Sequence, residues 1–455
     1  MGAAAGCAPL APLPPPAAPA AELPTRWSRE GAGPADQTAS GDAWQSIGDA
    51  LLHDLVTEAL AANPDLHIAA ANLARARALR DVAAAGQQPE VGLSGSAGRS
   101  RSAGRTGNAL RIGLDASWEP DFFGALALGV EAAQADADAS AATWQATQLS
   151  VAAEVALAYL QWQGLRAQLD LARRSVESQR QSEELVGWRV DAGLASALDR
   201  QQSRASLEAA RARVPSLATS MEQAAHRLSV LVGQPPAALA SRLQAAAPLS
   251  GVAPSWPAVG VPAELLRRRY DLQAAERRIA AEWFALGQRR AQARPRFSIN
   301  GNLAWQAATL SGLSGAGALV AGLAAAVSWP AFDGGSAKAQ VAAQQASLDS
   351  AQASYRAAVL TALQDVEDQV VALQQVGERI AALERAQAAA DEALVLARQR
   401  YGAGLSDFAA LLEGERSALS AADSLVGARL DRALAHVRLV KALGGPVPSG
   451  APRIP

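Results

Sequence analysis

A chain of 455 residues has room for two or three domains, yet only 4% is aromatic although half is apolar; alanine makes up the difference and favours long, closely packed helices over a bulky globular core. A net charge of −2 with scattered arginines gives no basic stripe for nucleic acid, and a single cysteine, Cys7, excludes a disulfide framework and a thiolate metal site. His53, His67, His226 and His436 lie too far apart to pair as ligands, and no Ser/His/Asp spacing, nucleophile elbow or phosphate loop gives catalysis a foothold.

Residues 1–24 read as a lipoprotein-like start and a spacer. Ala4-Ala5-Gly6-Cys7 has the small residues that precede an acylated cysteine, with Ala4 where leucine is usual. The charged and apolar regions of a leader are missing before it. Cys7 is therefore expected to be a lipid-attachment site in a chain that starts late; the competing reading is an incidental small hydrophobe. Ala8 to Pro24 is almost all Pro, Ala and Leu, an extended and semi-rigid tether.

Beyond it the chain repeats itself. Asp65-Leu66, Pro89 and Gly95 recur as Asp271-Leu272, Pro295 and Gly301, each 206 positions later. Trp118, Gly124, Arg189, Gly193 and Leu194 recur as Trp329, Gly335, Arg400, Gly404 and Leu405, each 211 later. These matches predict a first repeat over 42–262, a second over 263–446 with a short insertion, and a tail over 447–455.

Each repeat opens with a helical stretch. The first runs from Leu51 to Ala85, interrupted at Asn63-Pro64, and the second from Ala263 to Ala293. Period-two patterning follows. Val91 and Leu93 alternate with Glu90, Gly92 and Ser94, and Leu110 to Trp118 alternate with Arg111, Gly113, Asp115 and Ser117. Phe297 to Trp305 and Leu319 to Trp329 repeat the pattern. Four strands of about ten residues with one apolar face are predicted, the length of a tilted membrane-spanning strand. The uncharged run from Phe297 to Phe332 also invites a transmembrane helix, but its glycines and the arginines of the corresponding first stretch oppose that.

Long helices come next. Ala125–Asp191 and Ala337–Gly402 contain no proline, and at 1.5 Å per residue each would run about 100 Å. Val151, Val155, Ala158, Trp162, Leu165 and Leu169 keep a 4,3 spacing, the seam of a coiled coil. Both runs stop at matching turns, with Gly193 and Gly404 as C-terminal glycines and Ser196 and Asp407 as N-caps of helices returning to about Val232 and Leu443.

Four spanning strands cannot stand alone in lipid, because open edges leave backbone groups unsatisfied. The smallest membrane barrels have eight strands, so two, three or four copies would give eight, twelve or sixteen. The fold class expected is mainly α with a membrane β-barrel portion, continuing into a long α-helical barrel.

Five ordered motifs carry a family resemblance. They are Asn63-Pro64-Asp65-Leu66, Trp118 to Gly124, Leu231 to Pro236, Val261 to Leu272 and Arg400 to Gly404. With them the chain resembles the TolC-like outer-membrane efflux proteins, in particular the lipoprotein branch often called NodT-type; Tyr270 stands where that family usually has proline. The resemblance implies a homotrimer of twelve strands in the cell outer membrane, with twelve helices around a continuous pore reaching into the periplasm. It implies a periplasmic adaptor at the helical tips (Gly193, Leu194, Ser196, Gly404, Leu405, Asp407) and an inner-membrane RND-type transporter that supplies the energy, so no cofactor is needed. Exported compounds would be small and toxic. The resemblance also implies a ring of carboxylates near the tips, for which Glu413 takes the position of the usual aspartate. Trp118 and Trp329 are expected at the membrane–water boundary or in a packed core. A protein-secretion duct is the alternative within this fold, and a soluble coiled-coil scaffold the alternative from another class.

Overall fold

The computed structural model describes residues 49–247 and 267–445 apart from Ala103 and Ala316, together with Pro24 and Trp27. Cys7 and its spacer up to Leu23, residues 248–266 and the tail lie outside the described residues.

Helices α1 (Ala50–Ala62) and α2 (Pro64–Ala85) meet at Asn63. This residue is buried, and its side chain works in both directions: Oδ1 accepts the amide of Asp65 at 2.8 Å, and Nδ2 donates to the Leu231 carbonyl at 2.8 Å. Strands β1 (Glu90–Ser102) and β2 (Arg105–Trp118) lead into α3 (Ala125–Asp191) and α4 (Ala197–Leu231), followed by the short α5 (Ala240–Gln244). The second half runs α6 (Tyr270–Gln292), β3 (Arg296–Ala307), a 3-10 turn at Ser311–Ser314, β4 (Leu319–Ser328), α7 (Ser336–Gly402) and α8 (Phe408–Ala442). Helices α3 and α7 both have 67 residues, and α4 and α8 both have 35.

Two details differ from the sequence expectation. A fresh helix starts at Tyr270, 206 positions after Pro64, although no proline is present there. Strands β1 and β2 have 13 and 14 residues because pairing continues beyond the apolar alternation, through Arg99 to Ser102. Helix α4 runs through Pro215 without ending, as the expected return to about Val232 requires.

Two compact units take residues from both halves of the chain. One holds Ala70–Thr143 and Asp271–Val359 and includes the sheet, a single antiparallel layer in the order β1-β2-β3-β4. The other holds the described residues of Leu23–Ala69, Trp144–Tyr270 and Leu360–Pro455. Its main core gathers Leu52, Leu55, Val155, Tyr159, Leu160, Leu228 and Leu239. Tyr159 donates to Asp49, the N-cap of α1, so the stacking of α1 on α3 also fixes where α1 begins. Of the predicted seam, Val151, Val155, Ala158, Trp162 and Leu169 are buried and Leu165 is half-buried.

Candidate functional site

Cross-strand partners share a face of a sheet, so the register decides which side chains line up. Leu93 lies opposite Leu114, Leu114 opposite Leu303, and Leu303 opposite Ala321. Along the same face, the rows of Ile112 with Trp305 and Leu319, and of Trp118 with Ile299 and Ala325, are apolar as well. The other face carries Glu90, Ser94, Arg111, Asp115, Asn300 and Asn302. There Arg111 pairs with Asp115, and Ser94 donates to the same carboxylate.

From β2 to β4 the polar face is crowded. A Cβ added to Gly113 would collide with that of Ala304, its partner on β3, whereas opposed Cβ atoms in an ordinary sheet stand about 4.5–5.5 Å apart. At this pair β2 and β3 bend toward each other on the polar side. Leu93 and Leu323 are 76% and 82% exposed on the apolar side, while Ala304 on the polar side is 1% exposed. A water-soluble sheet would bury its apolar face; this one presents it outward.

The two tryptophans close their strands in the same manner. Trp118 donates from Nε1 to the Gln87 carbonyl at 3.0 Å, and Trp329 from Nε1 to the Ala293 carbonyl at 3.3 Å. Both indoles keep exposed surface.

At the far end of the long helices the two turns are built alike. Gly193 and Gly404 have φ of 71° and 76°, a left-handed conformation that glycine adopts without strain. Leu194 N donates to Arg189 O at 2.7 Å and Leu405 N to Arg400 O at 2.8 Å, the six-residue bond that closes a helix C-terminus. Ser196 and Asp199 form a reciprocal capping box on α4, and Asp407 accepts the Ala410 amide at 3.0 Å on α8. These bonds close the two turns and leave Leu194 and Leu405 about 70% exposed at their ends.

Arg189 joins the two turns. Its guanidinium donates to the Tyr401 carbonyl and lies 4.6 Å over the Tyr401 ring, which packs in turn on Phe408. Beside them Val186, Tyr401, Phe408 and Leu411 form a small core, and burial raises the pKa of the Tyr401 phenol.

Glu413 is exposed and accepts from Ser417 on its own helix at 3.5 Å. Two positions from both Leu411 and Glu415, it points about 200° around the helix from the buried seam. Glu415 is the carboxylate that goes inside. It accepts from Ser182 of α3 and pairs with Arg398 of α7 at 3.3 Å, and Arg398 also donates to Ser178.

A model of the outer membrane efflux protein family matches residues 55–234 and 261–445. The chain belongs to that family.

Among its relatives is the outer membrane protein OprJ of Pseudomonas aeruginosa, 32% identical over 442 residues that span 94% of this chain and 91% of OprJ. Nodulation protein T of Rhizobium leguminosarum bv. viciae is 28% identical over 434 residues, covering 94% of this chain and 89% of that protein. The solved structure of the outer-membrane channel OprN superposes with a TM-score of 0.86 at 34% identity, over 94% of this chain and 99% of that one.

Membership of the family answers the soluble-scaffold alternative, since its members are outer-membrane efflux channels rather than enzymes or scaffolds. The sheet brings Trp118 and Trp329 to strand ends, and the helical unit brings Gly193, Leu194, Ser196, Gly404, Leu405 and Asp407 to two turns bridged by Arg189. Three residues that organise the tips were missed as such in the sequence: Arg189, Tyr401 and Glu415. The available signal for Glu415 was its 4,3 place between Leu411 and Ala418, which puts it on the buried stripe despite its charge.

Proposed function

We propose that the chain is one subunit of the outer-membrane exit duct of a tripartite efflux pump. The observation that carries this reading is the sheet, with an outward apolar face, a crowded polar face and edge strands β1 and β4 unpaired among the described residues. In hydrocarbon such edges must close into a barrel, and family membership favours three copies and twelve strands. Two repeats per chain, each a strand pair with a 67-residue and a 35-residue helix, would then supply twelve helices for a tube in the periplasm. The first repeat spans 42–262 and the second 263–446.

Within this reading Trp118 and Trp329 mark the periplasmic boundary of the membrane, where indoles are favoured. Cys7 carries lipid in the outer membrane. The tips, ending in exposed Leu194 and Leu405, dock a periplasmic adaptor, and an inner-membrane RND-type transporter drives export of small toxic compounds. Glu413, away from the seam, lines a constriction with its counterparts from the other copies.

Deleting the gene should raise cellular accumulation of lipophilic dyes and sensitivity to drugs or detergents. The wild-type gene restored in trans should reverse both. Unchanged accumulation and sensitivity across a broad panel would contradict an efflux role.

A further inference from the structure

The apolar face of β1 ends in two arginines. Alternation puts Arg99 and Arg101 on the face of Val91 and Leu93, away from Ser94 and the polar side. The register agrees, setting Arg99 opposite Asn108 and Arg101 opposite Thr106, on the β2 face that also carries Ile112 and Leu114. Both arginines are exposed. No acidic residue occurs between Val91 and Leu114 to neutralise them, and the second hairpin has no charge at all from Phe297 to Phe332.

Their height is set by the strand. Asn108, the partner of Arg99, lies ten residues beyond Trp118 along β2. At about 3.3 Å per residue and a tilt of about 40°, that is about 25 Å along the membrane normal, the height of a barrel's apolar band. Thr106, the partner of Arg101, stands about 5 Å higher. The two guanidinium groups therefore reach the level of the lipid headgroups on the outer side, and they do so from the face that meets lipid rather than the one that meets the lumen.

We propose that Arg99 and Arg101 form a site on the outer rim of the barrel for the phosphate groups of the phosphorylated glycolipid in the outer leaflet. Arginine presents a planar fork that matches phosphate oxygens in pairs. Its long apolar stem can lie along the barrel while the charge stays at the headgroup level. A soluble phosphate compound has nothing to hold it at this rim, whereas a lipid phosphate is kept at this height by its acyl chains in the membrane. The site rests on the membrane-spanning barrel proposed above.

The test uses the full-length wild-type protein and the R99Q/R101Q variant in phosphatidylcholine vesicles containing fluorescent lipid A. Insertion is scored first by protease protection, and lipid enrichment next by energy transfer from the protein's tryptophans. Each basic residue near an anionic membrane surface is worth about a fivefold change in affinity, so the double variant should lose about thirtyfold. Dephosphorylated lipid A should bind wild-type protein as weakly as intact lipid A binds the variant. Phosphatidylglycerol should compete poorly. Equal binding of intact and dephosphorylated lipid A to inserted wild-type protein would overturn the site and leave the duct standing. Displacement by phosphatidylglycerol as effective as by lipid A would overturn the glycolipid assignment. Wild-type protein that fails to insert would overturn the duct, and this site with it.

Discussion

Leu114→Arg should cripple insertion into a bilayer, while Asp115→Arg, one residue along, should not. Leu114 stands four residues from Trp118 on β2, about 10 Å along the membrane normal at 3.3 Å per residue and a 40° tilt. That is close to the middle of a band about 25 Å tall. Its neighbours across the face are Leu93 and Leu303, so a guanidinium there has neither water nor a counter-charge. An arginine at the midplane costs about 2–4 kcal/mol per chain, or about thirty- to a thousandfold in the insertion equilibrium. Asp115 points to the polar face and pairs with Arg111, both partly exposed. Losing that pair costs about 0–1 kcal/mol, and the new charge remains on the hydrated side. Urea titration of folding into lipid vesicles, followed by protease protection, reads the difference. Equal midpoints for the two variants, or a lower one for Asp115→Arg, would refute the assignment of the faces.

Other consequences are open to measurement. Leu194→Glu with Leu405→Glu should abolish drug resistance while leaving assembly and stability within about 0.5 kcal/mol of wild type, because both side chains are exposed; normal resistance in that variant would remove the docking role of the tips. Glu413→Gln should lower cation selectivity in single-channel recording, and an unchanged reversal potential would leave Glu413 as helix surface. Burial lowers the pKa of His436 to about 4, and its Nε2 has no partner among the described residues. The unfolded state then binds the extra proton first, so stability falls as pH drops through the window from about 6.5 to 4, by about 2 kcal/mol at pH 5. His436→Leu should flatten that part of the pH dependence of thermal unfolding, and parallel curves for the two proteins would show that His436 does not titrate there.

Much of the architecture was legible in the sequence because local chemistry and period agree. The proline-free runs bounded by Gly193 and Gly404 gave α3 and α7 to within a residue, since a left-handed turn leaves little choice of where a helix ends. Alternation in β1 to β4 gave both faces, because a period of two admits no other sorting once one side is apolar. What escaped the sequence depends on contacts between distant segments. The break at Tyr270 needs no proline, so the absence of one there hid it, whereas α4 was expected to run through Pro215 and does. The bridge from Arg189 to Tyr401 joins residues 212 apart, and Ser182 meets Glu415 across 233. No local pattern announces such pairs; only the alignment of two hairpins side by side creates them. Among the described residues no helix is long and apolar enough to cross a membrane, in keeping with strands in place of the helix that the uncharged run from Phe297 invites.

The most direct test of the duct is electron cryomicroscopy of the full-length protein in lipid nanodiscs, with the particle mass measured on the same sample. Three chains, with a protein mass three times the 46.7 kDa of one, should close twelve strands into a ring in the lipid, with Leu93, Leu114 and Leu303 outside and Arg111 and Asp115 inside. A single chain with a free sheet edge, or a ring with those leucines turned inward, would contradict it.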